Sequence, residues 1–424
     1  MLKMNKKCIV SIAIASIMLM TGCSSVQEIS AESVNFEASN STFYVPQMTN
    51  IRVENSTNNL YTVKDNWGRL YPYSYYTVSG DRKELYVRMY NAFYTFNNAV
   101  DLTNLSVTQN DIIDIFNLMC LDNSDFYYIS REMQILTKKN ASEMVELRVK
   151  YTYSKTNVET YSSYFDKVAK LLENKLSDDM SEYSKFLAIH DFLVDNIVYN
   201  TDATNTVHNS DLIGAFVNRT CQCDGYSKAF IYLSRHMGLM STVATGYVDS
   251  SSIIGGTTAH IWNLAYCNDE WMQVDVTFDD VAYYKKGMNY RLYFGVTQDD
   301  LNLLKTYNRI KDGETGYYPS PELSEKEMSF LAKNYNVVNF NDKDSEDGIL
   351  LYRDISDMLF QAKLHKYPQI VIICDSVTEY SFLRNKVFVA SNKVMQKAFY
   401  DNGIKSFNVE GDVEHNMLYI KVFF

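Results

Sequence analysis

One segment, residues 219–280, most limits what this chain of 424 residues can fold into. Directly after Cys223, the run GYSKAFIYLSRHMGL carries apolar residues at helical spacing. Further on, two runs typical of β-strands lie on either side of the turn-forming pair Asn268-Asp269. The pattern therefore predicts a helix followed by an antiparallel hairpin.

Three residues of complementary chemistry lie on these elements: Cys223, His260 and Asp275. Cys223 stands at or just before the predicted helix N terminus, where exposed backbone amides and the helix macrodipole favour a thiolate. His260 and Asp275 fall on the two predicted hairpin strands, so strand pairing would place the carboxylate beside the imidazole. A thiol nucleophile needs a base, and that base needs a group that fixes its tautomer. We therefore predict a Cys-His-Asp acyl-transfer site.

The same residues resemble the signature of the bacterial transglutaminase-like family, which reads Cys-x-Gly-Tyr, His-x-Trp-Asn and Asp-x-Thr. The chain has all three motifs, as Cys223-Asp224-Gly225-Tyr226, His260-Ile261-Trp262-Asn263 and Asp275-Val276-Thr277. The spacings, 37 positions (260 − 223) and 15 positions (275 − 260), are also similar to those of the family. Upstream, residues 182–200 resemble its leading helix. The resemblance is specific over about residues 180–282, weaker from about 80 to 180, and absent after about 300.

The resemblance implies an α+β fold with a papain-like, transglutaminase-like core. It also implies acyl transfer or hydrolysis on protein or peptide amides through a cysteine thioester, with no cofactor. An incoming amine would give crosslinking, whereas water would give deamidation or proteolysis, and the sequence leaves an acyltransferase and a cysteine protease both open. The alternative is a non-catalytic envelope binding module on the same fold.

Five further motif positions are predicted to support the site: Gly225, Tyr226, Trp262, Asn263 and Thr277. Gly225 lets backbone or substrate approach closely. Trp262, together with Trp271, is interpreted as packing that keeps water off the His-Asp pair, and Asn263 as a support for a strand or for the site. The backbone amide of Cys223 is the predicted oxyanion donor, and no side-chain donor is assigned.

Two nearby residues could be mistaken for catalytic groups. Cys221 is a spectator, a redox trap for an oxidised Cys223, or a metal ligand. Zinc would need two more ligands such as His208 or His260, and the chain lacks the usual paired ligand spacing, so we predict no metal. His190 falls on the apolar face of a predicted helix from Ser181 to Ile197, which favours a hydrogen-bonded core histidine.

The first 22 residues have the pattern of an export signal. Lys3, Lys6 and Lys7 precede an apolar run, Cys8–Met20, that is too short for a comfortable membrane span. The sequence Leu19-Met20-Thr21-Gly22-Cys23 resembles a lipoprotein processing box, which implies that Cys23 carries the lipid. The alternative is an ordinary signal peptide cut nearby. We expect an extracytoplasmic protein, lipid-anchored to the bacterial cell membrane, with protein or peptide substrates in the cell envelope.

The net charge argues against nucleic acid as a partner. The formal charge is −11, and removing residues 1–22 deletes three lysines and no acids, which gives −14. An acidic surface repels a polyanion.

The chain is predicted to contain five segments: a lipoprotein signal peptide (1–22), a tether (23–78), an N-terminal mixed α/β domain (79–165), the catalytic domain (166–305) and a small two-layer α/β C-terminal domain (325–424). Helical periodicity marks residues 81–98 and 111–119, and strand-like runs cover 126–130 and 146–153. In the C-terminal domain the predicted order is a helix at 348–365, a strand at 370–375, a helix between Ser391 and Gly403, and strands at 406–410 and 417–424.

Overall fold

The computed structural model describes residues 8–13, 43–45, 60–138, 143–202, 204, 206–249, 257–280, 291–298, 307–310, 318–325, 329, 336–340, 348–365, 369–374, 376–389, 391–412 and 416–423. The chain forms two compact units. Unit 1 comprises Met1–Tyr247, Ala259–Tyr290 and Asn308–Leu323, and unit 2 comprises Val248–Thr258, Arg291–Tyr307 and Ser324–Phe424. The fold mixes helices and sheets in the α+β manner expected from the sequence. Cys23 lies outside the described residues, and the predicted domain boundaries stay a prediction.

The N-terminal part of unit 1 is an antiparallel sheet with helices. Its elements are β1 (Cys8–Ala13), α1 (Ser74–Thr77), α2 (Gly80–Tyr94), β2 (Ala99–Asp101), α3 (Gln109–Asp122), β3 (Ile129–Thr137) and β4 (Met144–Tyr151), with the strand order β1-β3-β4-β2. Helices α2 and α3 form where apolar periodicity predicted them. Thr108 caps α3 in a reciprocal capping box with Asp111.

The strand predicted at residues 126–130 is wrong in its extent. Ser124–Phe126 form a short 3-10 turn, and β3 begins only at Ile129. Phe126 turns its ring onto Phe93 of α2, with 5.4 Å between ring centroids. Tertiary packing of this aromatic residue therefore outweighs its local preference for a strand.

The last part of the predicted tether, residues 60–78, is packed within unit 1. Leu70 and Tyr71 are buried. The backbone N–H and the hydroxyl of Ser74 donate to the buried carboxylate of Asp122 at 2.7 and 2.8 Å. Tyr44, earlier in the predicted tether, exchanges two backbone hydrogen bonds with the side chain of Asn196. These residues therefore belong to the folded body.

The central part of unit 1 surrounds one buried helix. Its elements are α4 (Lys155–Glu173), α5 (Glu182–Asn196), β5 (Val198–Tyr199), β6 (Thr220–Cys221), α6 (Cys223–His236), β7 (Ser241–Asp249), β8 (Thr257–Cys267), β9 (Glu270–Val274), α7 (Val276–Asp279) and β11 (Tyr307–Arg309). Between α7 and β11 in the chain, the short strand β10 (Phe294–Val296) belongs to unit 2. Strands β9, β8, β7 and β11 are neighbours in that order. Residues 223–235 of α6 are all buried, and Phe230 stacks on Phe186 of α5. A helix buried on every side is a core element, so α6 has little freedom to move.

The C-terminal part of unit 2 is a second sheet with its own core. Its elements are β12 (Asn336–Phe340), α8 (Gly348–His365), β13 (Gln369–Cys374), α9 (Val377–Phe382), α10 (Lys393–Asp401), β14 (Ser406–Asp412) and β15 (Met417–Phe423), with the strand order β12-β13-β15-β14. Helix α8 has the predicted bounds, and Gly403 adopts the left-handed φ of +73° just after α10. Leu359, Ala362, Ile370, Leu418 and Ile420 pack in one buried cluster.

Candidate active site

The candidate nucleophile is the first residue of the buried helix. Cys223 begins α6 after Gln222, which has an extended backbone and makes no side-chain cap. Strand β6, two residues earlier, pairs in parallel with β5, with Tyr199 opposite Cys221. This pairing fixes the direction from which the chain approaches the helix. Cys223 therefore lies in the first turn, where helical backbone N–H groups have no partner within the helix, and it is 8% exposed.

Gly225 is required by the packing beneath this turn. A Cβ atom at Gly225 would lie 2.5 Å from Cβ and 2.7 Å from Sγ of Cys221, and 2.8 Å from the backbone oxygen of Asn209. The close approach predicted at Gly225 is thus made by Cys221 and by the backbone of Asn209. Cys221 is fully buried, and burial raises the pKa of its thiol well above the ordinary value. It fills space as a neutral thiol.

The β8–β9 hairpin brings the imidazole and the carboxylate together. Asn268 and Asp269 have φ angles of 58° and 63°, as a two-residue hairpin turn requires. The Nε2 atom of His260 lies 2.6 Å from Oδ2 of Asp275. His260 is on β8, whereas Asp275 follows the last residue of β9 and caps α7 by accepting a hydrogen bond from the backbone N–H of Phe278 at 3.2 Å.

The surroundings of His260 favour its cationic form. Burial alone would lower its pKa, but the charge of Asp275 and hydrogen bonds to Asp275 and Cys223 outweigh burial and raise the pKa to about 10. Because Nε2 is used by Asp275, Nδ1 is the nitrogen left for Cys223. At neutral pH the imidazolium is therefore held between the sulfur of Cys223 and the carboxylate of Asp275.

Aromatic rings cover the imidazole. Trp262 lies nearly parallel to His260 at 5.8 Å between centroids, and Phe278 approaches it at 4.7 Å. The indole N–H of Trp262 donates to the side-chain oxygen of Gln273 at 2.9 Å, which fixes the ring. Trp271 does not share this role, because it packs against Tyr61, Tyr73 and Tyr266, and Tyr266 is its partner near the hairpin turn.

The remaining predicted support residues tie the elements together. The Nδ2 atom of Asn263 donates to the backbone oxygens of Ser227 on α6 and Thr242 on β7, at 3.1 and 3.3 Å. The hydroxyl of Tyr226 donates to the carboxyl group of Asp280. Thr277 is buried within α7. Gly225, Tyr226 and Asn263 thus hold together the elements that carry the candidate site.

Several residues of the site were not identified from the sequence. Asp279 and Asp280 end the run DVTFDD that begins with Asp275. Asp279 contacts His190 on α5, and Asp280 accepts a hydrogen bond from Tyr226 on α6. Burial raises the pKa of Tyr199, and its pairing opposite Cys221 places this residue near the start of α6. The only sequence signal for these residues is their closeness to the motifs.

His190 lies in the core, as expected. Its two ring nitrogens contact Asp191 and Asp279, at 3.1 and 2.9 Å. Within the described part of the chain, no group of three or more His, Cys, Asp or Glu side chains could hold a metal ion.

Comparison with known proteins supports the fold of this region. Residues 169–276 match the sequence model of the Transglutaminase-like superfamily, so the core of unit 1 is transglutaminase-like. A search of curated proteins gives no match.

Solved structures similar to this chain include a candidate cysteine protease from Cytophaga hutchinsonii, with 19% identity over 34% of this chain and 56% of that chain and a TM-score of 0.23. Others are a TGase, with 14% identity over 57% and 59% and a TM-score of 0.26, and the periplasmic domain of TgpA from Pseudomonas aeruginosa bound to ethylmercury, with 16% identity over 35% and 60% and a TM-score of 0.21. The chain spans less than two thirds of the length of each.

Proposed function

We propose that the protein is a transglutaminase-like thiol enzyme that acts on protein or peptide amides through a Cys223 thioester. One observation carries the proposal: His260 is hydrogen-bonded to Cys223 and, through its other nitrogen, lies 2.6 Å from Asp275. This is the nucleophile, base and orienting group that thiol acyl transfer requires.

The reaction follows from these contacts. The Cys223 thiolate attacks the amide carbonyl carbon, and the carbonyl electrons move to oxygen, where the backbone N–H groups at the start of α6 stabilise the charge. The C–N bond then breaks as His260 gives its proton to the leaving nitrogen, which leaves a thioester. Water or a second amine attacks the thioester, His260 takes the proton from this nucleophile, and the Cys223 sulfur departs as the leaving group.

The burial of the nucleophile limits the shape of the substrate. Cys223 is only 8% exposed, and aromatic rings cover its partner His260. The substrate carbonyl must therefore reach the sulfur through a narrow opening. A glutamine side chain or an extended peptide is slim enough to do so. Both are amides, in keeping with the proposed chemistry.

We further propose that the protein is exported and lipid-anchored at Cys23. The support is the sequence pattern of residues 1–23, since the processing box lies outside the described residues. Among the described residues, no helix has the length and apolar character needed to cross a bilayer. Cleavage before Cys23 would remove β1 and leave β3 as the edge of its sheet, so β1 would belong to the precursor alone.

A product screen tests the proposed activity. The full chain without residues 1–23 would be incubated with glutamine-containing and cell-wall peptides, with and without a labelled amine, and analysed by mass spectrometry. Amine incorporation with loss of ammonia indicates a transferase, conversion of glutamine to glutamate a deamidase, and cleavage a protease. Each product should vanish in Cys223→Ala. Failure to detect any product or thioester would contradict the enzyme proposal and favour a binding module.

A further inference from the structure

The short helix α7 carries the carboxylate of the site at its first turn. Asp275 divides its two oxygens between two partners: Oδ2 contacts His260 at 2.6 Å, and Oδ1 accepts the N–H of Phe278. The position of Asp275 therefore depends on the position of α7. A single helical turn of four residues, Val276–Asp279, is not stable alone, because nucleation of a helix is costly. Other contacts must hold α7 in place.

The last residue of α7 is held by a buried histidine on α5. Oδ2 of Asp279 lies 2.9 Å from Nε2 of His190, while Nδ1 of His190 lies 3.1 Å from Asp191. His190 and Asp279 are both buried. Burial alone would lower the pKa of His190, but its hydrogen bonds to Asp191 and Asp279 raise it to about 9. At neutral pH, His190 is thus a cation held between two carboxylates.

The next residue anchors the same turn to the catalytic helix. Asp280 accepts a hydrogen bond from the hydroxyl of Tyr226, three residues after Cys223 on α6. Burial raises the pKa of Asp280 to about 8, although the hydrogen bond from Tyr226 and the charge of His190 act in the opposite direction. The turn that begins with Asp275 is thus fixed to α5 by one contact and to α6 by another.

We propose that His190 and Asp279 form a positioning pair that holds Asp275 in place through α7. They contact none of the reacting atoms. By fixing α7, they keep the carboxylate on Nε2 of His260 and so keep the imidazolium next to Cys223. The Asp280–Tyr226 contact is the second anchor of the turn. This inference rests on the proposed function, because a displaced Asp275 matters only where the His260 cation activates the thiol.

The test compares two substitutions of His190. In His190→Gln the side-chain NH2 stands where Nε2 was and can still donate to Asp279. In His190→Asn the NH2 stands where Nδ1 was and reaches only toward Asp191. Alkylation of Cys223 by iodoacetamide, located by peptide mass spectrometry, is measured at pH 6 and pH 9.5. An ordinary thiol, with a pKa of about 8.5, is about 0.3% thiolate at pH 6 and about 90% at pH 9.5, so the ratio of the two rates reports activation by His260.

We expect His190→Asn to lower the pH 6 to pH 9.5 ratio by about 10-fold or more, and His190→Gln to lower it by less than about 3-fold. General packing damage that leaves the His260–Cys223 contact in place changes both rates together and so leaves this ratio unchanged. Ser184→Ala, at another buried position of α5, is the matched control and should leave the ratio unchanged. If His190→Asn fails to fold, Asp279→Asn, which keeps the size of the side chain but removes its charge, should lower the ratio by about 3-fold or more.

Three outcomes decide the matter. A lowered ratio in a folded His190→Asn or Asp279→Asn protein supports the positioning pair. A wild-type ratio in such a protein, or equal losses in the Gln and Asn variants of His190, overturns it. An ordinary thiol ratio already in the wild type would instead overturn the proposed function, because His260 would not be activating Cys223.

Discussion

At the residue scale, two cysteines separated by one position have opposite environments. Cys223 lies at the start of α6 beside a cationic imidazole, whereas Cys221 is fully buried against Gly225. Thiol reactivity follows thiolate character and access. The surroundings of the two thiols therefore identify Cys223 as the candidate nucleophile more clearly than the motif alone does.

Substitution of each cysteine should give opposite results. Cys223→Ala should abolish thioester formation, whereas Cys221→Ala should keep most of it and cost about 1–2 kcal/mol of stability through the cavity left under Gly225. Intact-mass detection of the acyl-enzyme and urea unfolding would measure the two effects. Acyl-enzyme formation surviving in Cys223→Ala would show that the nucleophile is wrongly assigned.

Removal of the carboxylate charge should shift the pH dependence of the site. In Asp275→Asn the pKa of His260 should fall from about 10, because the charge of Asp275 is the largest influence raising it. The imidazolium would then be lost at lower pH, and thioester formation should slow by about 10²-fold or more. A pH profile of single-turnover acylation from pH 5 to 11 measures both. An alkaline limb that stays in place would mean that another group holds the imidazole.

The contact between His260 and Asp275 also makes the stability of the fold depend on pH. The folded pKa of His260, about 10, lies above the usual value of about 6.5 for an unfolded chain. Its stabilising contribution is therefore complete below about pH 6.5 and is lost as the pH rises through about 10.

Cys223, His260 and Asp275 were predictable from the sequence because each lies in a short motif of consecutive residues. The contact between His190 and Asp279 was not, because it joins residues 89 positions apart (279 − 190). Such a pair follows only from the packing of α7 on α5, for which no local pattern in the sequence gives the geometry.

At the scale of elements, α6 connects the two parts of unit 1. Near its C-terminal end the buried guanidinium of Arg235 donates to the backbone oxygen of Leu70 at 3.1 and 2.9 Å, to Asn123 at 2.7 Å and to Asp125 at 2.9 Å. One side chain therefore joins α6 to the segment before α1 and to the end of α3. This contact helps to explain why residues 60–78, which belong to the predicted tether, are folded.

Substitution of Arg235 should be costly. Arg235→Met leaves the buried carbonyl of Leu70 without its donor, whereas Asp125 keeps Arg69 and Tyr94 as partners, so we expect a loss of about 1–3 kcal/mol, the usual cost of a buried polar group left unsatisfied. Urea unfolding would measure this loss. Lys138→Ala is the comparison, since Lys138 and Glu143 form a half-exposed pair, and it should change stability by less than about 1 kcal/mol. Equal effects of the two substitutions would contradict this account of Arg235.

Predictions of elements succeeded where periodicity was strong and local. Helices α2, α3, α5 and α8 follow the apolar spacing of their sequences. The strand predicted at 126–130 begins too early, because Phe126 is buried by ring contacts in a tight turn and β3 begins only at Ile129. Helix α4 was not predicted, although its buried face, which includes Val158, Phe165 and Leu172, has helical spacing.

At the scale of the whole molecule, the chain combines a transglutaminase-like core with a second unit that has its own sheet and core. We also expect an anchor at its N terminus. Cys23→Ala should block lipid attachment, because Cys23 follows Met20-Thr21-Gly22 at the processing position, and two acyl chains bind a membrane far more strongly than one. Labelled fatty acid and membrane fractionation would measure this in cells. Incorporation of label into Cys23→Ala, or wild-type protein recovered only as unmodified soluble chain, would refute the anchor.

The β8–β9 hairpin has a practical consequence for engineering. Cys267 and Glu270 are the last paired residues before the turn, and Asn263 pairs with Val274, next to Asp275. A residue inserted within β9 would turn the carboxylate to the opposite face of the sheet, because side chains alternate along a strand. An insertion between Asn268 and Asp269 lies outside the paired region and leaves this register unchanged. The turn is therefore a place where an epitope or a fluorescent label could be added to the chain while His260 and Asp275 keep their positions across the hairpin.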